Sequence, residues 1–190
     1  MKIAPHCRSA RVLSQTFPIE PLEQRTLLSA AGTSTALVQS ISSSVYGQGV
    51  TLTATVSSKS GKPTGSIRFI DGSTTLGTET VNSADKATLT LASLPVGSDS
   101  LSAKYLGSST FAGSSSAVLK HTVAQDLTKT SLTESTSSII IGQTIAVTVT
   151  VTDVAPGAGT PSGQVTLYDG KTALGTQSLN SKGQFSGNIP

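Results

Sequence analysis

The chain has 190 residues, close to a third of them Ser or Thr, with 12% charged residues, no Trp and a formal net charge of +3. Residues 1–30 hold +2 of that charge (Lys2, Arg8, Arg11 and Arg25 against Glu20 and Glu23), and the rest of the chain sets nine Lys/Arg against eight Asp/Glu. With no basic stripe and few aromatics on which bases could stack, nucleic-acid binding is excluded. Cys7 is the single cysteine, so no intramolecular disulfide forms, and apolar runs of only a few residues encode no transmembrane helix.

Residues 1–32 read as a leader or arm, since they carry most of the Arg and show no strand alternation. They also lack the apolar core of an ordinary secretory signal. Within the arm, Leu22, Glu23, Arg25, Leu27, Leu28, Ser29 and Ala30 resemble the Leu-Glu-Pro-Arg-x-Leu-Leu-Ser-Ala motif near the N-termini of large exported bacterial proteins, with Gln24 where that motif has Pro. The competing reading of these ten residues is a short amphipathic turn.

From Thr33 the pattern turns to strands. Thr35 to Gln39 opens, Tyr46-Gly47-Gln48-Gly49 turns, and Val50, Leu52, Ala54 and Val56 alternate with Thr51, Thr53 and Thr55, as a strand with one buried face requires. Pro63 and Gly65 end a loop, and Ile67 and Phe69 share a face. Asp71-Gly72 then signals a hairpin, because Gly adopts positive φ without steric cost. Leu76 to Thr78 returns, Asn82 to Lys86 turns again, and Ala87, Leu89 and Leu91 alternate. After the corner Leu94-Pro95-Val96-Gly97 come Leu101, Ala103 and Tyr105, and Ala117 to Val123 closes. Seven short strands in about 90 residues predict a two-sheet sandwich.

The pattern then starts again. PTGSIRFIDGSTTLGT, from Pro63 to Thr78, returns as PSGQVTLYDGKTALGT from Pro161 to Thr176, with eight of sixteen positions identical. Ile145, Val147, Val149 and Val151 repeat the alternation of Val50 to Val56. Repeats of this length imply one structural unit copied. The expected division is an arm over 1–32, one sandwich over 33–124 and a second over 125–190. The copy ends near the counterpart of Leu94-Pro95, so the second unit is expected to lack its last two strands. The strand carrying Val165 and Leu167 would then keep an open edge.

The run from Tyr46-Gly47-Gln48 through Pro63-Thr64-Gly65, Phe69, Asp71-Gly72, Leu76-Gly77-Thr78, Leu94-Pro95-Val96-Gly97, Leu101 to Tyr105 and Phe111-Ala112-Gly113-Ser114 resembles bacterial Ig-like domains of the Big_3 type. The resemblance covers about Thr33 to Val123 in full and Thr128 to Pro190 in part. It implies an all-β chain of tandem immunoglobulin-like β-sandwiches on extracellular or cell-surface proteins, serving as spacers or adhesive modules. This domain class has no catalytic residues to carry over.

The residues offer no constellation for chemistry. His6 lies in the arm, and His121 reads as a strand residue at a sheet margin, with no second His or Cys near it in sequence. Ser83-Ala84-Asp85-Lys86 matches a Ser-x-x-Lys pattern but falls in a turn, where that chemistry requires a helix. Asp71 and Asp169 are lone carboxylates whose hairpin role explains them, so calcium is not expected. Cys7 beside Arg8 is read as inert. Ser42 to Ser44, Ser114 to Ser116 and Thr133 to Ser138 read as soluble turn and linker residues, or else as O-glycosylation sites.

The sequence therefore predicts no catalytic, cofactor or metal residues. It predicts a non-enzymatic spacer or display module whose partners are neighbouring Ig-like repeats, with a cell-surface glycan or protein as an adhesive target. The alternative is an accessory polysaccharide- or protein-binding portion of a larger secreted enzyme. Tyr46, Tyr105, Phe111 and Tyr168 are scattered rather than grouped as a carbohydrate platform.

Overall fold

Alternating Thr and aliphatic residues, broken by Gly and Asn turns, give strands throughout. The computed structural model describes residues 29–92 and 94–189, and every regular element in them is a β-strand. In the first unit β1 (Ser34–Gln39), β3 (Val50–Ser57) and β6 (Lys86–Leu91) form one sheet in the order β1-β3-β6. The facing sheet has the order β2-β9-β7-β4-β5. It is built from β2 (Ser43–Val45), β4 (Ser66–Asp71), β5 (Thr74–Thr80), β7 (Gly97–Tyr105) and β9 (Leu119–Ala124), with the two-residue β8 (Ser114–Ser115) on β7.

The two sheets bury what the alternation points inward. Leu37, Val50, Leu52, Ala54, Val56 and Ala87 come from one, and Ile67, Phe69, Leu101, Ala103, Tyr105 and Val123 from the other. Each fully buried large aliphatic or aromatic side chain among them contributes about 1.5–3 kcal/mol of transfer free energy. Tyr105 is fully buried, and its hydroxyl donates to the Thr64 carbonyl, so its one polar atom is satisfied.

Two short strands go beyond the seven expected. β2 runs parallel to β9, with Ser43 opposite Thr122 and Val45 opposite Ala124. Three residues are too few to show an alternation, which is why β2 reads as a turn in sequence. β8, paired with β7 over two residues, is held by side chains as well: the hydroxyls of Thr33 and Thr35 meet Ser114 Oγ at 2.8 and 2.7 Å, and beside it Ser116 Oγ accepts from the Ala103 amide at 3.0 Å. Of the Ser/Thr clusters noted in the sequence, Ser44, Ser114 and Ser116 thus have hydroxyls engaged in the fold.

In residues 125–189, β10 (Thr128–Glu134), β11 (Ile145–Asp153) and β14 (Gln184–Ile189) form a sheet in the order β10-β11-β14, the arrangement of β1-β3-β6. β12 (Gln164–Asp169) and β13 (Thr172–Ser178) form a hairpin like β4-β5. The correspondence reaches irregular detail. Both hairpins shift register at one place, between Phe69 and Ile70 and between Leu167 and Tyr168. Both turn on a glycine of positive φ, Gly72 at 54° and Gly170 at 57°. Asn82 Oδ1 accepts from the Ala84 and Lys86 amides, and Asn180 Oδ1 accepts from the Lys182 and Gln184 amides. Asp85 and Gly183 sit at the matching positive-φ position, 60° and 70°.

Candidate functional site

Among the described residues, the candidates from sequence are dispersed. Ser83 lies in the turn before β6, with its carbonyl accepting from Lys62 Nζ at 3.1 Å, and shares no site with Lys86. Asp169 closes its hairpin opposite Thr172. Tyr105 and Phe111 are core residues, whereas Tyr46 (47% exposed) and Tyr168 (63% exposed) are surface residues of different units. His6, Cys7 and the arm motif from Leu22 to Leu28 lie outside the described residues. No group of three or more His, Cys, Asp or Glu suited to a metal ion occurs among the described residues, and no helix there is long and apolar enough to cross a membrane.

His121 departs from expectation. It is not at a sheet margin: β9 lies between β2 and β7, and the imidazole is 1% exposed. Its Nε2 is 2.9 Å from Ser44 Oγ on β2. Directly opposite it on β7 stands Asp99, 6% exposed. Two residues opposed in an antiparallel pair point to one face, so both enter the sandwich together. Asp71, at the end of β4, completes the group. Its Oδ1 accepts from the Ser100 amide at 2.7 Å, which sets its carboxyl close to Asp99. Asp71 is therefore not the lone turn carboxylate that the sequence suggests.

Asp99 titrates above the ordinary carboxylate range. Burial is the largest cause, the neighbouring Asp71 charge adds to it, and His121 opposes it. Two buried atoms of the group have no hydrogen-bond partner, Asp99 Oδ2 and His121 Nδ1. Ser44, His121 and Asp99 follow the order of nucleophile, base and orienting acid. Yet Ser44 is 7% exposed and its hydroxyl lies inside the β2–β9 seam, where a substrate has no approach.

Sequence reasoning passed over Asp99 and Ser44, although one of them leaves a trace. Asp99 shares parity with Leu101, Ala103 and Tyr105, and His121 shares parity with Leu119 and Val123. A charged residue at an inward position of an alternating strand marks a buried polar group. Ser44 sits in a strand too short to be seen.

The second unit carries a groove instead. β12 has β13 as its one strand partner among the described residues, whereas β4 is paired on both sides, by β5 and β7. Beside β12 a cavity of about 350 Å³ opens between Thr130, Leu132, Val149, Val165 and Leu167.

Paired sheets, inward alternation and hairpin order define an immunoglobulin-like β-sandwich, and residues 37–124 match the sequence model of the bacterial Ig-like domain (group 3). Similarity to solved structures is low in sequence. The fibronectin(III)-like modules of Clostridium thermocellum CbhA align at 16% identity, over 79% of this chain and 77% of that one, with a TM-score of 0.39. The Yersinia pseudotuberculosis adhesin InvE aligns at 17% identity over 82% of this chain and 50% of that one, with a TM-score of 0.41. The D0-D1 domain of intimin aligns at 18% identity over 80% and 82%, with a TM-score of 0.36. No match was found among curated proteins.

Proposed function

We propose that the protein is a non-catalytic module of the extracellular or cell-surface kind, in which Ig-like sandwiches in series act as spacers or display units and adhesion is a secondary role. In this reading residues 33–124 form one unit and residues 125–190 belong to a second, whose β10-β11-β14 sheet and β12-β13 hairpin correspond to β1-β3-β6 and β4-β5. One observation carries this reading. The residues that recur between the two units serve turns and core (Asp71/Asp169, Gly72/Gly170, Asn82/Asn180, Phe69/Leu167) and do not converge on a shared cleft.

The alternative, an accessory binding portion of a larger secreted enzyme, draws on the exposed rings of Tyr46 and Tyr168. A glycan-array screen separates the two. The spacer reading expects no reproducible hit, and hits abolished by Tyr46→Ala or Tyr168→Ala would reverse the ranking. Surface location is tested by protease treatment of intact cells: a chain fully protected until lysis would overturn it.

A further inference from the structure

The buried polar group of the first unit spans four strands of one sheet. From β4 comes Asp71, from β7 Asp99, from β9 His121 and from β2 the uncharged hydroxyl of Ser44. From the facing sheet Gln39 of β1 reaches only the Lys120 carbonyl, at 3.1 Å. The Lys120 ammonium is on Ser100 Oγ at 2.8 Å, and both residues neighbour the group's own in sequence, so they point to the opposite face of the sheet. Asp71 and His121 are the charges that act on Asp99. Burying such groups is costly unless they are hydrogen-bonded, and here Asp99 Oδ2 and His121 Nδ1, on directly opposed residues, are both left without a partner.

We propose that Asp71, Asp99, His121 and Ser44 form a proton-operated latch that holds β2 against β9. With the proton on Asp99, no carboxylate faces the imidazole from β7, and His121 stays on the Ser44 hydroxyl, closing the seam. When Asp99 releases its proton to solvent, its buried Oδ2 becomes a charged acceptor with no donor on it. The remaining donor for Asp99 is then Nδ1–H of His121, which draws the ring toward β7 and away from Ser44. β2 has only three paired residues, so it lets go first.

The sign follows from the titration. The folded value of Asp99 is raised, so its neutral form is favoured in the folded unit. The stabilisation is complete below the ordinary aspartate value of 3.8 and is lost as pH rises through the raised value.

The reporter is the Tyr46 amide, which donates to the Ala124 carbonyl at 2.9 Å and is exposed to exchange when β2 lifts. In the full chain its protection, measured by hydrogen exchange between pH 4 and 8 and corrected for intrinsic rate, falls as Asp99 ionises. The fall is up to about tenfold for each pH unit by which the folded value exceeds the unfolded one. In Asp99→Asn, which cannot ionise, protection stays at the high level throughout. In Ser44→Ala it is low at every pH, while the carboxyl carbon of Asp99 titrates as before.

Coincident profiles for the parent chain and Asp99→Asn would overturn the latch. So would a fall shared equally by the amides of β3, which would mark global unfolding rather than release of β2. Should Asp99→Asn fail to fold, the parent chain still decides: an Asp99 carboxyl carbon titrating at the ordinary aspartate value refutes the proposal.

Discussion

Replacing Phe69 by Ala and, separately, its counterpart Leu167 by Ala measures how differently the two units are closed. Phe69 is fully buried, opposite Ala103 on β7 and within the cluster of Leu52, Ile67 and Tyr105. Truncation there removes most of a ring from a site closed on both sides, which costs about 3–5 kcal/mol. A domain of this size has about 5–15 kcal/mol in total, so the variant keeps only a fraction of its stability. Leu167 is half-buried and borders the open cavity beside β12, so half of a Leu transfer term is at stake and no sealed void is left behind. That truncation costs about 1 kcal/mol. Urea unfolding of the full chain, followed by amide signals assigned to each unit, separates the two costs. Equal costs at the two positions, or a loss below about 1.5 kcal/mol at Phe69, would refute the reasoning that β7 is what seals the first core.

Three further outcomes follow from the geometry. Tyr105→Phe strips the Thr64 carbonyl of its partner and lowers first-unit stability by about 1–2 kcal/mol, read as a shift of the urea midpoint without change of slope. Gly65→Ala meets both a φ of 115° and the Gly107 carbonyl oxygen at 2.8 Å, whereas at Gly163, φ 113°, a Cβ has open space. Thermal unfolding should therefore show the Gly65 variant losing more than the roughly 1–3 kcal/mol of backbone strain that alone applies at Gly163. Amides of β12 and β13 exchange faster than those of β4 and β5, and equal protection in the two hairpins would contradict the open edge.

Much of this architecture is legible before any coordinates. The alternations from Val50 to Val56 and from Ile145 to Val151 predict β3 and β11, because a period of two matches the pleat of a strand and would scatter apolar residues around a helix. The Asp-Gly pairs predict the two hairpins, because a tight turn between twisted strands needs positive φ and Gly supplies it without strain. What stays hidden depends on meetings across the chain. β2 exists only because β9, some 77 residues later, offers it a partner and His121 offers Ser44 a bond. The closeness of Asp71 to Asp99 likewise needs the β4–β7 register, which no local pattern encodes. The parity of Asp99 and His121 is visible in the sequence, but that the two stand opposite each other is not.

The parallel pairing of β2 with β9 has a consequence under tension. These strands lie near the beginning and the end of the first unit, and they point the same way. A pull applied through the two ends of the unit therefore drags them lengthwise past each other. The hydrogen bonds between them, together with the Ser44–His121 contact, are loaded in shear all at once instead of being peeled apart singly. Strength along the chain axis thus depends on this seam of three residue pairs together with the six pairs that hold β1, which precedes β2 in the chain, to β3.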